Sequence, residues 1–372
     1  MKPPTRLDAH AGIPVVDVSS LFHSKSAERQ ATDDAILAAA GDIGFLNIVG
    51  LPANVPVGGA ARAKLLRIFG LDKSELQRLW RRKFAPQHSN LYRGWFPVQP
   101  GNLTSKEGMD IGADVAYGAT LVEPGDPLRE ETPLPAEEAL PGWRAAIAAY
   151  YRALDGVCAT LMQSIARSLE LDEHYFDRTF HHGLSTLRLL RYPLRNPEEL
   201  AACAHPGVWV SDGAERHHLI GAAHTDSGFM TLLAQDGVPG LQAHTRAGSW
   251  VDVAPLEHSL AVNFGQLLEL WSAGRIKATE HRVVGAGHER YSIPFFYEAR
   301  ADAEISPLPI DDPGTFASFL FGDYLWARIT NFVEFRGMEA LRKPMRSTPP
   351  CPRAFDLPQQ QSAHANRRRN PE

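Results

Sequence analysis

The chain has 372 residues, 44% of them hydrophobic and 22% charged, with a formal net charge of −5, a balance that suits a globular protein with a sizeable core. The acidic excess argues against a nucleic-acid-binding surface, which carries a basic surplus. Three cysteines, Cys158, Cys203 and Cys351, are too few and too widely spaced for a disulfide framework or a thiolate metal cluster, and they point to a reducing compartment.

In chain order, Met1 to Gly12 carries Pro, Arg, Asp and His where a secretory leader needs an apolar run. No stretch reaches the length of a membrane span, so the expected location is cytoplasmic. Residues 27–42 predict a helix with Ala31, Ile36, Leu37 and Ala40 on its apolar stripe. Residues 60–80 predict two short helices broken at Gly70, and 86–140, dense in Pro, Gly, Asn and Asp, predict loops and short strands that could contact a substrate. The clearest helix spans 142–170, where Trp143, Ile147, Tyr150, Leu154, Val157, Leu161 and Ile165 recur every three or four residues. From 186 the pattern changes to short strands at 186–192, 217–223, 229–234, 240–243, 249–253, 259–264, 279–284 and 290–297. Gly265 to Ser272 reads as a helical turn and 313–335 as a closing helix. The tail from 347 to 372 lacks apolar periodicity and is expected to be disordered.

The fold class expected is mainly β with flanking helices: a double-stranded β-helix, or jelly-roll, core with a helical N-terminal extension. Residues 1–140 would form an N-terminal α/β extension with substrate-facing loops. Residues 141–346 would form the helix-buttressed catalytic core, and 347–372 the tail.

The chemistry concentrates between His224 and Ser292. On an extended chain residues i and i+2 share a side, so His224 and Asp226 can present an imidazole nitrogen and a carboxylate oxygen to one point. His281 can supply a second imidazole from another strand. Two His and one carboxylate on one face of an octahedron is the donor set of mononuclear non-haem Fe(II) oxygenases, with positions left for O2 and an organic chelator. Arg290 and Ser292 again share a strand face, and a guanidinium beside a hydroxyl receives a carboxylate well. The ligand implied is 2-oxoglutarate, chelating iron through its keto acid with its distal carboxylate on Arg290 and Ser292. The competing readings are a surface His beside a turn-forming Asp, and an Arg290 ion pair with Glu289 or Glu298. His181-His182 and His217-His218 point to opposite sides of an extended chain and make poor chelators. The terminal Arg367-Arg368-Arg369 run reads as a flexible charged end.

These residues, in this order, resemble the 2-oxoglutarate and Fe(II)-dependent dioxygenase superfamily, in the branch that includes isopenicillin N synthase. Ile13-Pro14-Val15-Val16-Asp17-Val18 and Gly44-Phe45-Leu46-Asn47-Ile48 resemble its first strands. Arg93-Gly94-Trp95-Phe96, Lys106-Glu107-Gly108 and Leu189-Leu190-Arg191-Tyr192-Pro193 are similar to segments leading into its barrel. Phe321-Gly322-Asp323-Tyr324-Leu325-Trp326 resembles its closing helix. The resemblance implies that Tyr192 touches the co-substrate or substrate carboxylate, and that Phe296 stacks on the substrate; each has plain packing as its alternative. The family often has Asn where this chain has Leu190, so that contact is missing. The carboxylate ligand Asp226 argues against a halogenase, whose family members have a small residue there.

The function expected is oxidation of an organic small molecule, a secondary metabolite, by hydroxylation, desaturation or ring closure, with release of succinate and CO2. Fe(II), 2-oxoglutarate and O2 would be required, with no nucleic acid, membrane or obligate protein partner. The aromatics Trp80, Tyr92, Trp95 and Phe96 in the loop region favour a moderately apolar substrate. Alternatives are an isopenicillin N synthase-like Fe(II) oxidase using O2 without 2-oxoglutarate, an ethylene-forming enzyme, an inactive small-molecule binding protein on the same fold, and a zinc hydrolase.

Overall fold

The computed structural model describes residues 8–10, 12–23, 27–99, 101, 103–203, 207–212, 215–332 and 335–346. The strands are β1 (Asp8–His10), β2 (Ile13–Asp17), β3 (Phe45–Val49), β4 (Gly94–Phe96), β5 (Glu107–Ile111), β6 (Thr186–Tyr192), β7 (Trp209–Asp212), β8 (Glu215–His224), β9 (Met230–Gln235), β10 (Leu241–His244), β11 (Trp250–Asp252), β12 (Leu260–Phe264), β13 (His281–Val284), β14 (Arg290–Tyr297), β15 (Glu304–Ile305) and β16 (Phe319–Leu320). The helices are α1 (Ala27–Asp42), α2 (Gly59–Leu66), α3 (Lys73–Arg78), α4 (Asp114–Tyr117), α5 (Trp143–Ser168), α6 (Asp177–Phe180), α7 (Pro197–Ala202), α8 (Gln266–Trp271) and α9 (Phe321–Ile329).

Among the described residues the strands form a major sheet in the order β1-β2-β3-β12-β9-β14-β6-β5-β4 and a minor sheet in the order β11-β10-β13-β8-β7. Every pairing is antiparallel except β2 with β3. The N-terminal strands therefore extend the same sheet that the later strands begin.

Side-chain alternation divides the molecule into two cores. On β6, Leu187 and Leu189 point to the helical side while Leu190 and Tyr192 point between the sheets; on β14, Ile293, Phe295 and Tyr297 take the helical side. Helix α5 lies against that outer face and buries Trp143, Ile147, Tyr150, Leu154, Val157, Leu161 and Ile165. A smaller cluster between the sheets joins Phe45, Phe96, Leu190, Tyr192 and Ala261 to Ile220, Leu241, Ala243 and Val283 of the minor sheet. This is the jelly-roll sandwich that the strand spacing predicts, with one sheet backed by helices and the other closing the barrel.

The short strands fall within two residues of their expected bounds, and β6 and β14 coincide with them. One expectation needs correction. The closing helix is α9, only Phe321–Ile329, because Phe319 and Leu320 pair in register with Ile305 and Glu304 as an antiparallel strand before it starts. Residues 60–80 hold the two short helices expected, α2 and α3, with α2 continued by a 3-10 turn over Arg67–Gly70 and the break falling at Gly70 and the extended Leu71. Strand β7, missed in the sequence, extends the barrel edge by pairing with β8. The expected disordered tail lies outside the described residues. Among the described residues no helix is long and apolar enough to cross a membrane.

Candidate metal centre

His224 is the last residue of β8 and His281 the first of β13, and the two are directly opposed in the antiparallel register. Their ring centroids are 4.3 Å apart. Asp226 lies two residues beyond the end of β8, in the connection to β9, ahead of the bend over residues 227–229. His224 Nε2 is 3.7 Å and His281 Nε2 is 3.8 Å from Asp226 Oδ1. One ligand atom from each of the three lies within 4.8 Å of the others.

The surrounding hydrogen bonds aim these atoms. Nδ1 of His224 is 2.8 Å from the Ala222 carbonyl and Nδ1 of His281 is 3.1 Å from the Thr279 carbonyl. A carbonyl can only accept, so each Nδ1 carries the proton and each Nε2 presents its lone pair to the shared point. Asp226 Oδ2 accepts from Thr231 Oγ1 at 2.6 Å and Asn263 Nδ2 at 2.7 Å, leaving Oδ1 turned to the histidines. Burial and the neighbouring His281 push the His224 pKa down to about 4, so this imidazole is neutral and able to ligate at neutral pH. Burial would raise the Asp226 carboxyl, but His281, His224 and the two hydrogen bonds outweigh it and lower the pKa. The donor set, its protonation and its convergence fit a divalent iron ion.

The turn carrying Asp226 is fixed on both sides. Its backbone carbonyl accepts from Gln266 N at 2.8 Å, and the Gly228 carbonyl accepts from Leu267 N at 3.1 Å, which ties the turn to α8. Tyr324 of α9 donates its hydroxyl hydrogen to the Ser227 carbonyl. Gly228 gives the Glu298 carboxyl room beside this turn: a Cβ there would meet that carboxyl and push it aside.

Farther along the inner face, Arg290 is 1% exposed and pairs across strands with Tyr192, its guanidinium 5.4 Å from the Tyr192 ring centroid. One nitrogen, Nη2, donates to Gln235 Oε1 at 3.1 Å. Nε and Nη1 are buried with no hydrogen-bond partner among the described residues. The carboxylates near Arg290 in sequence or space are engaged or placed elsewhere: Asp236, whose charge acts on Arg290, accepts from Val238 N and Tyr291 N. Glu289 binds Arg191 and Tyr291, and Glu298 faces the Asp226 turn. A buried guanidinium edge with two open donors fits a carboxylate. Ser292 is buried two residues along, opposite Gln235 and Leu190. Phe296 is partly exposed, belongs to neither core cluster, and has the Arg188 guanidinium 5.2 Å from its ring centroid.

The structure thus brings His224, Asp226 and His281 to one point, and puts Arg290, Ser292 and the partly exposed Phe296 on one face of β14 with Tyr192 opposite Arg290 on β6. Those overlooked are Thr231, Asn263 and Gln235, which orient the site residues, and Glu298. The available signal was a polar residue at an inner-face position of an otherwise apolar strand, as Asn263 is within Leu260–Phe264.

Residues 189–299 match the model of the family described as the 2OG-Fe(II) oxygenase superfamily. A 2-oxoglutarate-dependent dioxygenase of Monascus ruber is 29% identical over 306 residues, covering 80% of this chain and 87% of the relative. An isopenicillin N synthase of Streptomyces clavuligerus is 26% identical over 322 residues, covering 85% and 94%. Among solved structures, a full-length Neurospora crassa protein in complex with alpha-KG has a TM-score of 0.71 and 26% identity, covering 86% of this chain and 96% of that one. The same Neurospora crassa protein has also been solved with alpha-KG and thymine, at 25% identity and a TM-score of 0.71.

Proposed function

From a chain that belongs to the 2OG-Fe(II) oxygenase superfamily, we propose a site in which His224, Asp226 and His281 hold the Fe(II) while Arg290 and Ser292 grip the distal carboxylate of 2-oxoglutarate. The protein is an oxidoreductase that uses Fe(II), 2-oxoglutarate and O2 to oxidise an organic small molecule. Held there, the iron together with O2 and 2-oxoglutarate would supply the oxidising chemistry, with succinate and CO2 as the products of the co-substrate. The observation that carries the assignment of residues is the convergence of two Nε2 atoms on Asp226 Oδ1 beside a buried Arg290 edge with two open donors.

The chain's own work is positioning and exclusion of water. Thr231 and Asn263 keep Asp226 Oδ1 turned to the metal. Gln235 holds Arg290 in place for a bidentate contact, and Tyr192 packs beside it. Phe296, partly exposed on the same strand face, offers a ring for substrate to stack on. The substrate class favoured is a moderately apolar secondary metabolite or heterocycle, with thymine, the ligand of the structural relative, as a first probe. The first 140 residues would act as an extension that lends substrate-facing loops to the core of 141–346. A cytoplasmic location is supported by the sparse cysteines, Cys158 and Cys203 both buried, and independence of nucleic acid by the net charge of −5.

The test is a co-substrate requirement. With Fe(II) and a turnover substrate, O2 uptake should need 2-oxoglutarate and yield succinate. In Arg290→Ala the 2-oxoglutarate requirement should rise severely, and Arg290→Lys should recover only part, since an ammonium cannot reproduce the fork. O2 uptake without succinate would favour the oxidase alternative, and an unchanged requirement in Arg290→Ala would move the carboxylate grip elsewhere.

A further inference from the structure

The inner face of β14 continues past its last hydrogen-bonded residue to Glu298. Even-numbered positions share this face, and Arg290, Ser292 and Phe296 lead along it to Glu298. The backbone keeps its place beside β6: Glu298 N donates to Ser185 Oγ at 3.0 Å, and Leu184 N donates to the Ala299 carbonyl at 2.9 Å. The carboxyl rests against Gly228, two residues beyond Asp226.

Glu298 is 7% exposed, and its Oε2 is buried with no hydrogen-bond partner among the described residues. Arg290, at the other end of the same face, has the same signature in its Nε and Nη1. A buried polar atom without a partner is unfavourable, so at each end of this face a ligand would restore a missing contact. Arg290's ligand is the co-substrate; the Glu298 end lies on the metal side of Phe296, where a substrate must present its reacting carbon.

We infer that Glu298 is a specificity-determining residue that reads a neutral substrate carrying a lactam or imide edge, an N–H next to a carbonyl oxygen. The inference rests on the iron and 2-oxoglutarate reading of the site. Burial, and then the charge of Asp226, hold the Glu298 carboxyl well above the usual range, while Arg93 only partly opposes them. A neutral carboxylic acid offers one donor and one acceptor side by side, and a lactam edge returns one acceptor and one donor in the same spacing. Arg93, whose positive charge acts on this carboxyl, disfavours a substrate ammonium; it donates to Thr186 Oγ1, opposite Phe296, at 2.5 Å and to the Leu184 carbonyl at 3.1 Å. A substrate carboxylate has no N–H to answer the acceptor oxygen of the acid.

The experiment uses the full chain loaded anaerobically with Fe(II) and 2-oxoglutarate. Binding of 2-pyridone, 2-quinolone and glutarimide, their N-methyl counterparts, benzoate and benzylamine is measured by ligand-observed NMR on the wild type, Glu298→Gln and Glu298→Leu. At least one lactam or imide should bind the wild type about tenfold more tightly than its N-methyl form, as expected for losing a buried two-point contact. That preference should survive in part in Glu298→Gln, whose amide also offers a donor and an acceptor, and vanish in Glu298→Leu. No lactam or imide binding to the wild type, binding of benzoate or benzylamine alone, or an unchanged preference in Glu298→Leu would each overturn the inference. The visible band of 2-oxoglutarate chelated to iron, recorded on every sample, separates the failures. If the band is present, only the Glu298 assignment falls; if it is absent from the wild type, the underlying reading of the site falls.

Discussion

Asp226 commits one carboxylate oxygen to Thr231 and Asn263 and keeps the other for the histidines. Removing Asn263's donor frees Oδ2 to rotate toward the metal, so Asn263→Ala should weaken iron affinity by about 10- to 100-fold, the usual effect of losing such a support. Competition with a chelator measures it, and unchanged affinity would show that Thr231 alone fixes the carboxylate. Glu298 gives a second prediction, in pH. Burial raises its folded pKa above the usual glutamate value of 4.5, so its contribution to stability is complete below that value and is lost as pH rises toward its folded pKa. Glu298→Gln, which keeps the shape without the titration, should therefore raise Tm relative to wild type at pH 8 and lose that advantage at pH 4. The Asp110 carboxyl, pushed down to about 2 because Arg188 and Arg81 outweigh its burial, has the opposite sign. Its contribution is present above about pH 3.8 and is lost only as pH falls through about 2, so Glu298 and Asp110 titrate in separate windows.

At the scale of elements, the metal turn is a junction between the barrel and two helices. α8 supplies backbone donors to the Asp226 and Gly228 carbonyls, and α9 adds the Tyr324 hydroxyl at Ser227. Tyr324→Phe should leave the fold intact and weaken iron retention several-fold, read in the same chelator competition. An equal loss of Tm and iron would instead make Tyr324 a general packing residue. Leu154, fully buried on α5 against the major sheet, belongs to stability alone. Leu154→Ala should cost about 2–5 kcal/mol in denaturant unfolding with iron binding unchanged in the folded fraction. Much of this architecture was legible in the sequence. The three- and four-residue spacing of α5 and the alternation along β6 and β14 follow directly from the side chains that each face must bury. The closing helix was read too long because Phe316, Phe319 and Phe321 continue an apolar run through a two-residue strand that only its pairing with Glu304–Ile305 defines. The i, i+2 spacing of His224 and Asp226 was legible too, although Asp226 lies just past the end of β8. Thr231, Asn263 and Gln235 stayed hidden because their partners are 5, 37 and 55 residues away.

For the whole molecule, the two sheets divide the labour. The helix-backed major sheet presents Arg290, Ser292 and Phe296, while the minor sheet brings His224 and His281 opposite each other at its near end. Binding at an interior shared by both sheets should tie them together. Fe(II) and 2-oxoglutarate added at about 100 times their dissociation constants should each stabilise the fold by about 2.7 kcal/mol if neither binds the unfolded chain. Denaturation with and without each ligand checks this, and His281→Ala should lose the iron-dependent part. The most direct measurement is an anaerobic titration of the protein with Fe(II) and then 2-oxoglutarate, followed by visible absorption. The account predicts a weak charge-transfer band from the keto acid chelated to iron, saturating at one equivalent of each, absent in Asp226→Ala and requiring far more 2-oxoglutarate in Arg290→Ala. Iron that binds without producing the band, or a band of equal affinity in Arg290→Ala, would contradict it.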